Sequence, residues 1–458
     1  MLREYQQKAV DNIRLSYNSG KNAPLFVLST GGGKTFIFSH IARNASKKSK
    51  RVLILVHRVE LLRQTSKSLT FLGVKHGLIN PKYTPDISAN VQVASVPTLV
   101  RRLNKIQEPD LIIIDEAHHA TAGSWDKIVS HYPNAKILGV TATPCRGDGK
   151  GLGVIAGGLF DDLICGPQTP ELIEMGFLVQ PKVYAPKNNL DLSKVHTRMG
   201  DYDKKEISDL MDRPTITGDA VSHYKRLCSG VPAVAFCVSI KHAEHVAQQF
   251  RMAGYKAYAV SGETDDDKRD KLLAGLGDGT VDLIASCDLI SEGTDIPAIG
   301  CAILLRPTQS LGLYIQQVGR ALRPSEGKKN AVILDHVGNV LNHGMPDDER
   351  TWTLEGKKRR KGSKIDEPTV LVTQCGKCFA VYKPAPECPE CGHKTKKNER
   401  EPEQVDGELE EIRREEVKKE KKIENYQAGS YSELQEIARK RGYKPGWAKN
   451  YHLNRRLK

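Results

Sequence analysis

Ile112-Ile113-Ile114-Asp115-Glu116-Ala117-His118 is a short apolar run that ends in two adjacent carboxylates. An apolar run without alternation predicts a parallel strand covered on both faces, delivering its acids to the carboxyl edge of the sheet. Upstream, Leu25-Phe26-Val27-Leu28 leads into Gly31-Gly32-Gly33-Lys34-Thr35, a glycine loop that opens a helix. Glycine lets the backbone amides of such a loop close on phosphate oxygens. Lys34 is expected to offset charge on the β/γ-phosphates, and Thr35 to hold magnesium. Asp115 is expected to bind that magnesium through its water shell, and Glu116 to polarise the attacking water. The first position of the G-x4-GK[ST] pattern is Leu28 rather than glycine. A solvated strand end would explain Asp-Glu alone, but not beside the lysine loop. Together the two parts predict a nucleotide triphosphatase.

Further apolar runs of strand length extend this pattern on both sides. They are Val52 to Val56, Val91 to Ala94, Ile137 to Val140, Val234 to Val238, Leu283 to Ala285, Ala302 to Leu305 and Ala331 to Leu334. Helix-compatible stretches such as Val59 to Leu72 and His242 to Ala253 separate them. Strands alternating with helices imply parallel sheets with helices on both faces. The glycine-rich stretch Arg146 to Gly158 and the polar stretch Asn188 to Arg213 argue against one unbroken sheet. The expected fold class is α/β, with two domains at 1–165 and 215–345 and a connecting segment at 166–214.

Beyond Asp335 the composition changes. A basic linker is expected over 346–368, where Lys357-Lys358-Arg359-Arg360-Lys361 is either a solvated run or a phosphate contact. Over 369–394, Cys375-x2-Cys378-x9-Cys388-x2-Cys391 offers four thiolates to one tetrahedral Zn2+, and so short a module has little core without metal. The zinc is expected to be structural, since four thiolates leave no open position. Residues 395–430 form a charged helix or connector, and 431–458 a small helical module with apolar spacing at Leu434, Ile437 and Ala438.

The chain has 458 residues, 39% of them hydrophobic, and a net charge of +14, which points to an anionic polymer as partner. No stretch has the roughly 18 apolar residues of a membrane span, and the N-terminus lacks the apolar core of a secretory signal. The scattered cysteines suit reduced thiols, so a cytoplasmic location is expected. In the second half, Gln316-Gln317-Val318-Gly319-Arg320-Ala321-Leu322-Arg323 places two arginines three apart on one helical face. Facing a triphosphate held by another domain, they would stabilise charge developing on the γ-phosphate; a plain basic helix surface is the alternative.

The ordered set resembles a superfamily 2 helicase of the DEAH or type III restriction-subunit kind, and in overall plan is similar to the RadD-like repair helicases. Leu2-Arg3-Glu4-Tyr5-Gln6 matches the N-terminal adenine-reading element, which includes Arg3 and makes Gln6 the base contact. Ser29 to Thr35, including Thr30, is similar to motif I, and Asp115 to His118 to motif II. Val56 to Leu61 resembles motif Ia and Ser95 to Leu99 motif Ib. Thr141-Ala142-Thr143-Pro144 resembles motif III, with Thr where many relatives carry Ser. Phe236 to Ile240, Ser291 to Pro297 and Gln316 to Arg323 resemble motifs IV, V and VI.

The resemblance implies two tandem RecA-like domains with ATP and Mg2+ in the cleft between them. Gly293, Asp295, Gln316, Arg320 and Arg323 would reach over from the second domain. Arg58, Thr98, Ser239 and Thr294 would touch strand phosphates, a grip that carries no sequence information. His118, Thr141 and Thr143 would link the γ-phosphate site to the strand groove. The implied activity is an ATP-dependent helicase or translocase, leaning toward DNA in replication, recombination or repair. Its rivals are the motor subunit of a restriction-type nuclease complex, an RNA helicase, and a strand-annealing or binding protein switched by ATP. Protein partners are expected through the C-terminal tail.

Overall fold

Seven strands build the first sheet: β1 (Pro24–Val27), β2 (Val52–Val56), β3 (His76–Ile79), β4 (Val91–Ser95), β5 (Leu111–Asp115), β6 (Lys136–Thr141) and β7 (Asp162–Cys165). All pair in parallel, in the order β3-β4-β2-β5-β6-β1-β7. Every residue of β2, β4 and β5 is buried, as helix cover on both faces requires. β6 lies between β1 and β5, so the glycine loop and the paired acids emerge on either side of Thr141. This computed structural model describes residues 2–84, 86–120, 123–146, 149–186, 192, 195–198, 201–211, 214–287, 298–356, 372–394, 430–440, 446, 448 and 452.

The second sheet repeats the plan. Its strands are β8 (Gln180–Tyr184), β11 (Ala233–Cys237), β12 (Ala257–Val260), β13 (Leu283–Cys287), β14 (Cys301–Leu304), β15 (Asn330–Asp335), β16 (Thr373–Gln374) and β17 (Ala380–Tyr382). A two-stranded hairpin, β9 (Thr197–Arg198) with β10 (Asp201–Tyr202), stands apart. The order is β12-β13-β11-β14-β15-β8-β17-β16, antiparallel only where β17 meets β8 and β16.

Three segments do more than the sequence led us to expect. The stretch 166–214 is not only a connector: it supplies β8, which pairs with β15. β8 buries only Pro181 and Val183, so Gln-Pro-Lys-Val-Tyr contains no apolar run to betray it. Through β8 and β17 the cysteine module extends the second sheet instead of standing alone. Residues 346–356 are not only linker. They return to the first domain, where Trp352 and Leu354 pack against its core and Leu354 O accepts the amides of Leu152 and Gly153, each at 3.0 Å. A methyl at Gly151 would lie 2.3 Å from Leu354 O, which explains the glycine-rich stretch: it lets this strap approach.

The basic run at 357–361 and the charged segment at 395–429 lie outside the described residues. The C-terminal unit, described by itself, contains the helix Tyr431–Lys440, which buries Leu434 with Ile437 and Ala438 packed beside it. No described helix is long and apolar enough to cross a membrane.

Candidate nucleotide site and cysteine centre

The glycine loop turns through positive φ at Gly31 (+88°) and Gly33 (+87°), conformations that L side chains resist. Gly33 caps the helix Lys34–Ser46 without a side-chain acceptor, which leaves the first helical amides for an anion. Leu28, the departure from the phosphate-loop pattern, packs under the loop: a methyl at Gly32 would lie 2.7 Å from Leu28 Cγ. From the helix Glu4–Asn18, Tyr5 Oη donates to Gly32 O at 2.7 Å. Gln6 Nε2 sits where a methyl at Gly33 would come within 2.6 Å. Lys34 Nζ donates to Leu28 O at 3.4 Å. Burial pushes the Lys34 ammonium below its ordinary value, while Glu116 and Asp115 draw it up and Arg320 and Arg323 push it down. Charged groups from both domains therefore converge on one lysine.

β5 ends at Asp115, and Glu116 adopts a left-handed turn (φ +49°), rare for a residue with a long side chain. Its amide donates to Asp115 Oδ1 at 3.0 Å. His118 Nδ1 stands 3.4 Å from Glu116 Oε2 and 2.9 Å from Thr141 Oγ1. The Thr141 hydroxyl donates to Thr143 O at 3.1 Å and accepts the Thr143 amide at 3.2 Å. The three residues expected to couple the phosphate site to the strand groove are thus one hydrogen-bonded chain. The Thr30 and Thr143 hydroxyls are buried without a hydrogen-bond partner, which marks them as capacity for a ligand or water in the cleft.

The helix Leu311–Ala321 crosses this cleft from the second domain, its N-terminus capped by Ser310 Oγ accepting the Leu313 amide at 3.3 Å. Gln316 and Arg320 are buried on it. A methyl at Gly312 would lie 3.0 Å from Thr143 Oγ1, and one at Gly319 would lie 2.7 Å from Thr30 Cβ. Gly312, Gln316, Gly319 and Arg320 follow the spacing of a single helical face, and that face meets the first domain. Arg323 is not on that face, because the helix ends at Ala321; it lies in the following turn, its Cγ 3.6 Å from where a methyl at Gly31 would be. The joint between the domains also touches the site at three points. Arg3 lies 4.0 Å over the Phe177 ring, Leu178 Cδ2 is 2.8 Å from where a methyl at Gly31 would be, and the Val179 amide donates to Leu322 O at 2.9 Å. Gly312, Phe177 and Leu178 were not anticipated. Two glycines seven apart inside an apolar helix were the available signal, since each costs about 0.5–1 kcal/mol against alanine.

The residues expected at the nucleic acid are less uniform. Arg58 precedes the helix Val59–Phe71. The Thr98 hydroxyl shares a 2.8 Å hydrogen bond with Ser95 and is buried. Ser239 caps the helix Ile240–Met252, accepting the His242 amide at 3.2 Å and the Ser208 hydroxyl at 2.8 Å. Gly293, Thr294 and Asp295 lie outside the described residues. Along this edge an ion-pair cluster joins the domains. Asp266 meets Arg63 at 2.7 Å, Lys82 at 2.8 Å and Arg269 at 2.8 Å, and Arg269 reaches Glu60 at 3.3 Å.

In the cysteine centre, the sulfurs of Cys375, Cys378, Cys388 and Cys391 all lie within 4.8 Å of one another. Each turn closes in the same way: the Phe379 amide donates to Cys375 O at 3.1 Å, and the Gly392 amide to Cys388 O at 2.9 Å. Four thiols at this separation form a donor set suited to tetrahedral zinc.

Two family models match the two halves of the chain. The family described as "Type III restriction enzyme, res subunit" matches residues 1–146, and "Helicase conserved C-terminal domain" matches residues 220–325. A "51.5 kDa protein" of a Lactococcus phage is 35% identical over 392 residues, covering 85% of this chain and 82% of its own. "Putative ATP-dependent helicase IRC3" of Saccharomyces cerevisiae is 33% identical, over 74% of this chain and 52% of its own, so this chain spans about half of that relative. Among solved structures, a fragment of a type I restriction enzyme HsdR subunit from Vibrio vulnificus shares the fold, with a TM-score of 0.59 at 22% identity over 75% of this chain and 66% of its own.

Proposed function

This chain belongs to the superfamily 2 helicases of the type III restriction-subunit kind, and from that premise we propose how its residues run an ATP-driven nucleic-acid motor. Gln6 reads the adenine edge beside Arg3, and the amides of Gly31, Gly32 and Gly33 with Lys34 cradle the phosphates. Thr35 and Asp115 would hold Mg2+, which when bound supplies charge neutralisation across phosphate oxygens. Glu116 takes a proton from water as the water oxygen bonds to the γ-phosphorus. The bond from that phosphorus to the ADP oxygen breaks, and Arg320, Arg323 and Gln316 stabilise the departing charge. The chain Glu116–His118–Thr141–Thr143 carries the change in phosphate occupancy to Gly312 and the second domain, so chemistry is coupled to closure. The observation that supports this most is the seating of the second domain on the phosphate loop: a methyl at Gly319 would lie 2.7 Å from Thr30 Cβ, one at Gly31 would lie 3.6 Å from Arg323 Cγ, and Arg320, next to Gly319, is buried.

Arg58, Thr98, Ser239 and Thr294 are proposed to line the strand groove, with Gly293 and Asp295 completing the nucleotide site. For Thr98 and Ser239 the hydroxyls already serve the protein, so their backbone amides are the groups offered to phosphate. The strand is proposed to be DNA, on the RadD-like resemblance, the net charge of +14 and the cysteine module. Zinc is proposed as structural, because among the described residues the module's core is small: Cys375, Ala380, Tyr382 and Cys388, with Tyr184 and Cys378 packed against them. A reducing, cytoplasmic setting is proposed on the scattered free thiols, such as Cys228, Cys237 and Cys301.

The test is ATP turnover with single-stranded, duplex and forked DNA and with RNA of matched sequence. Stimulation by DNA above RNA is expected; stimulation by RNA alone would transfer the motor to RNA, through dependence on the 2′-hydroxyl. A second reading, a motor subunit serving a restriction nuclease, is favoured by the HsdR-like fold and predicts a nuclease that co-purifies.

A further inference from the structure

The two cysteine turns share a backbone shape but differ in the residue after the second cysteine. Gly392 takes φ +66° in one turn, and Phe379 takes φ +64° in the other. That conformation suits glycine and is an outlier for a bulky L-residue; such outliers gather where function holds them. Phe379 is 39% exposed, so core packing does not account for its ring. It lies on the wall of a cavity of about 240 Å3 between the cysteine module and the second sheet. Tyr184 on β8, His223 and Arg226 on the helix Pro214–Cys228, Asp335 at the end of β15 and His336 just after it line the same space.

The chemistry of that wall is specific. The His223 and His336 rings stack with centroids 5.2 Å apart at 27°. His336 Nε2 is buried without a hydrogen-bond partner. The Asp335 carboxylate turns inward, accepting the amides of Val337 at 3.2 Å and Val340 at 2.7 Å. Arg226 is exposed, and the Asp335 carboxylate is taken up by backbone amides, so the rim offers a strand phosphate a cation.

We propose that this cavity takes one unstacked nucleobase of a bound strand, its face on Phe379 and its phosphate on Arg226. The proposal rests on the nucleic-acid reading above. The space is below the roughly 300–1,000 Å3 of sites for larger ligands, which favours a single ring system. Every base has a π-face, so a stacking slot with a cation at its rim grips a strand without choosing its sequence. His336 Nε2 meets the polar edge of the base. The cysteine module thereby becomes half of a strand-holding site, with the second RecA-like domain as the other half.

The test compares binding of a fluorescent oligothymidylate with binding of an abasic strand of equal length, using the full zinc-containing chain. Glycine relaxes the backbone at position 379, so Phe379→Gly should keep its zinc, which metal analysis checks. Wild type should prefer the thymidylate strand. Phe379→Gly should weaken it about 5- to 150-fold, the loss of one aromatic stack, and leave the abasic strand unchanged. Arg226→Ala should weaken both strands and lower the salt slope by about one. Thymidylate binding equal to wild type in zinc-replete Phe379→Gly would overturn the proposal and leave the motor reading standing. Failure of wild type to bind either strand would remove the nucleic-acid reading itself.

Discussion

Two of the contacts between the RecA-like domains are built on opposite principles. At the nucleotide cleft the contact is made by absence: Gly312 against Thr143 and Gly319 against Thr30, with no room for one more methyl at Gly319. Both threonine hydroxyls there lack partners. At the other contact Asp266 is surrounded by Arg63, Lys82 and Arg269, and Arg269 also reaches Glu60. The first contact fixes a distance and leaves polar capacity unfilled. The second fills its polar capacity and tolerates a change of distance, because ion pairs weaken gradually with separation. A motor that closes on a nucleotide and reopens needs both: a steric end point where chemistry occurs, and a reversible attraction elsewhere.

The cleft side should be the more fragile. Arg320→Ala and Arg323→Ala should each lower turnover at saturating ATP by about 10³ or more, with much smaller effects on ATP affinity. Loss of affinity alone would show that the arginines only hold the nucleotide. Gly319→Ala should come next. Its methyl would displace Thr30 and the phosphate loop, and a misplacement near 1 Å can cost about 10²-fold. Overpacking costs about 1–3 kcal/mol, partly offset by the roughly 1 kcal/mol that alanine gains as the better helix former, so thermal stability should fall slightly while turnover falls far more. Normal turnover in Gly319→Ala would mean that this contact does not set the closed geometry.

The ion-pair side should give the smallest effect. Asp266→Asn leaves three cations facing one another, and a distance probe across this edge should report opening without loss of fold. The cluster is partly exposed, so added salt should produce the same opening in wild type. Its neighbours, the Lys82 hydrogen bond foremost, draw the Asp266 pKa from 3.8 down to about 2. A depressed carboxylate contributes its stability above 3.8 and loses it only as pH falls toward 2. The opening should therefore respond to salt but not to pH in the neutral range; a neutral-range pH response would place another titrating group in the contact.

The same contrast explains what the sequence disclosed. Leu25 to Thr35, Ile112 to Glu116, Gln316 to Arg323 and the paired cysteines were legible because their chemistry is local: each is a short pattern whose residues act together. β8 was hidden because an alternating Pro181 and Val183 make no apolar run. The Leu354 strap, the Phe177–Leu178 joint and the Asp266 cluster were hidden because their partners are far apart in the chain. Gly312 and Gly319 lie between these cases, visible as costly helix residues but interpretable only once Thr30 and Thr143 stand opposite them.

Hydrolysis is proposed to depend on Glu116 at a nucleotide gripped by both domains. The direct measurement is ATP binding and phosphate release by Glu116→Gln and wild type, each with single-stranded DNA present. The amide keeps the shape of the site but cannot take the proton, and general-base catalysis is worth about 10²–10⁴ in rate. Glu116→Gln should keep wild-type ATP affinity, with phosphate release slowed by that factor. Phosphate release within a few-fold of wild type would contradict it.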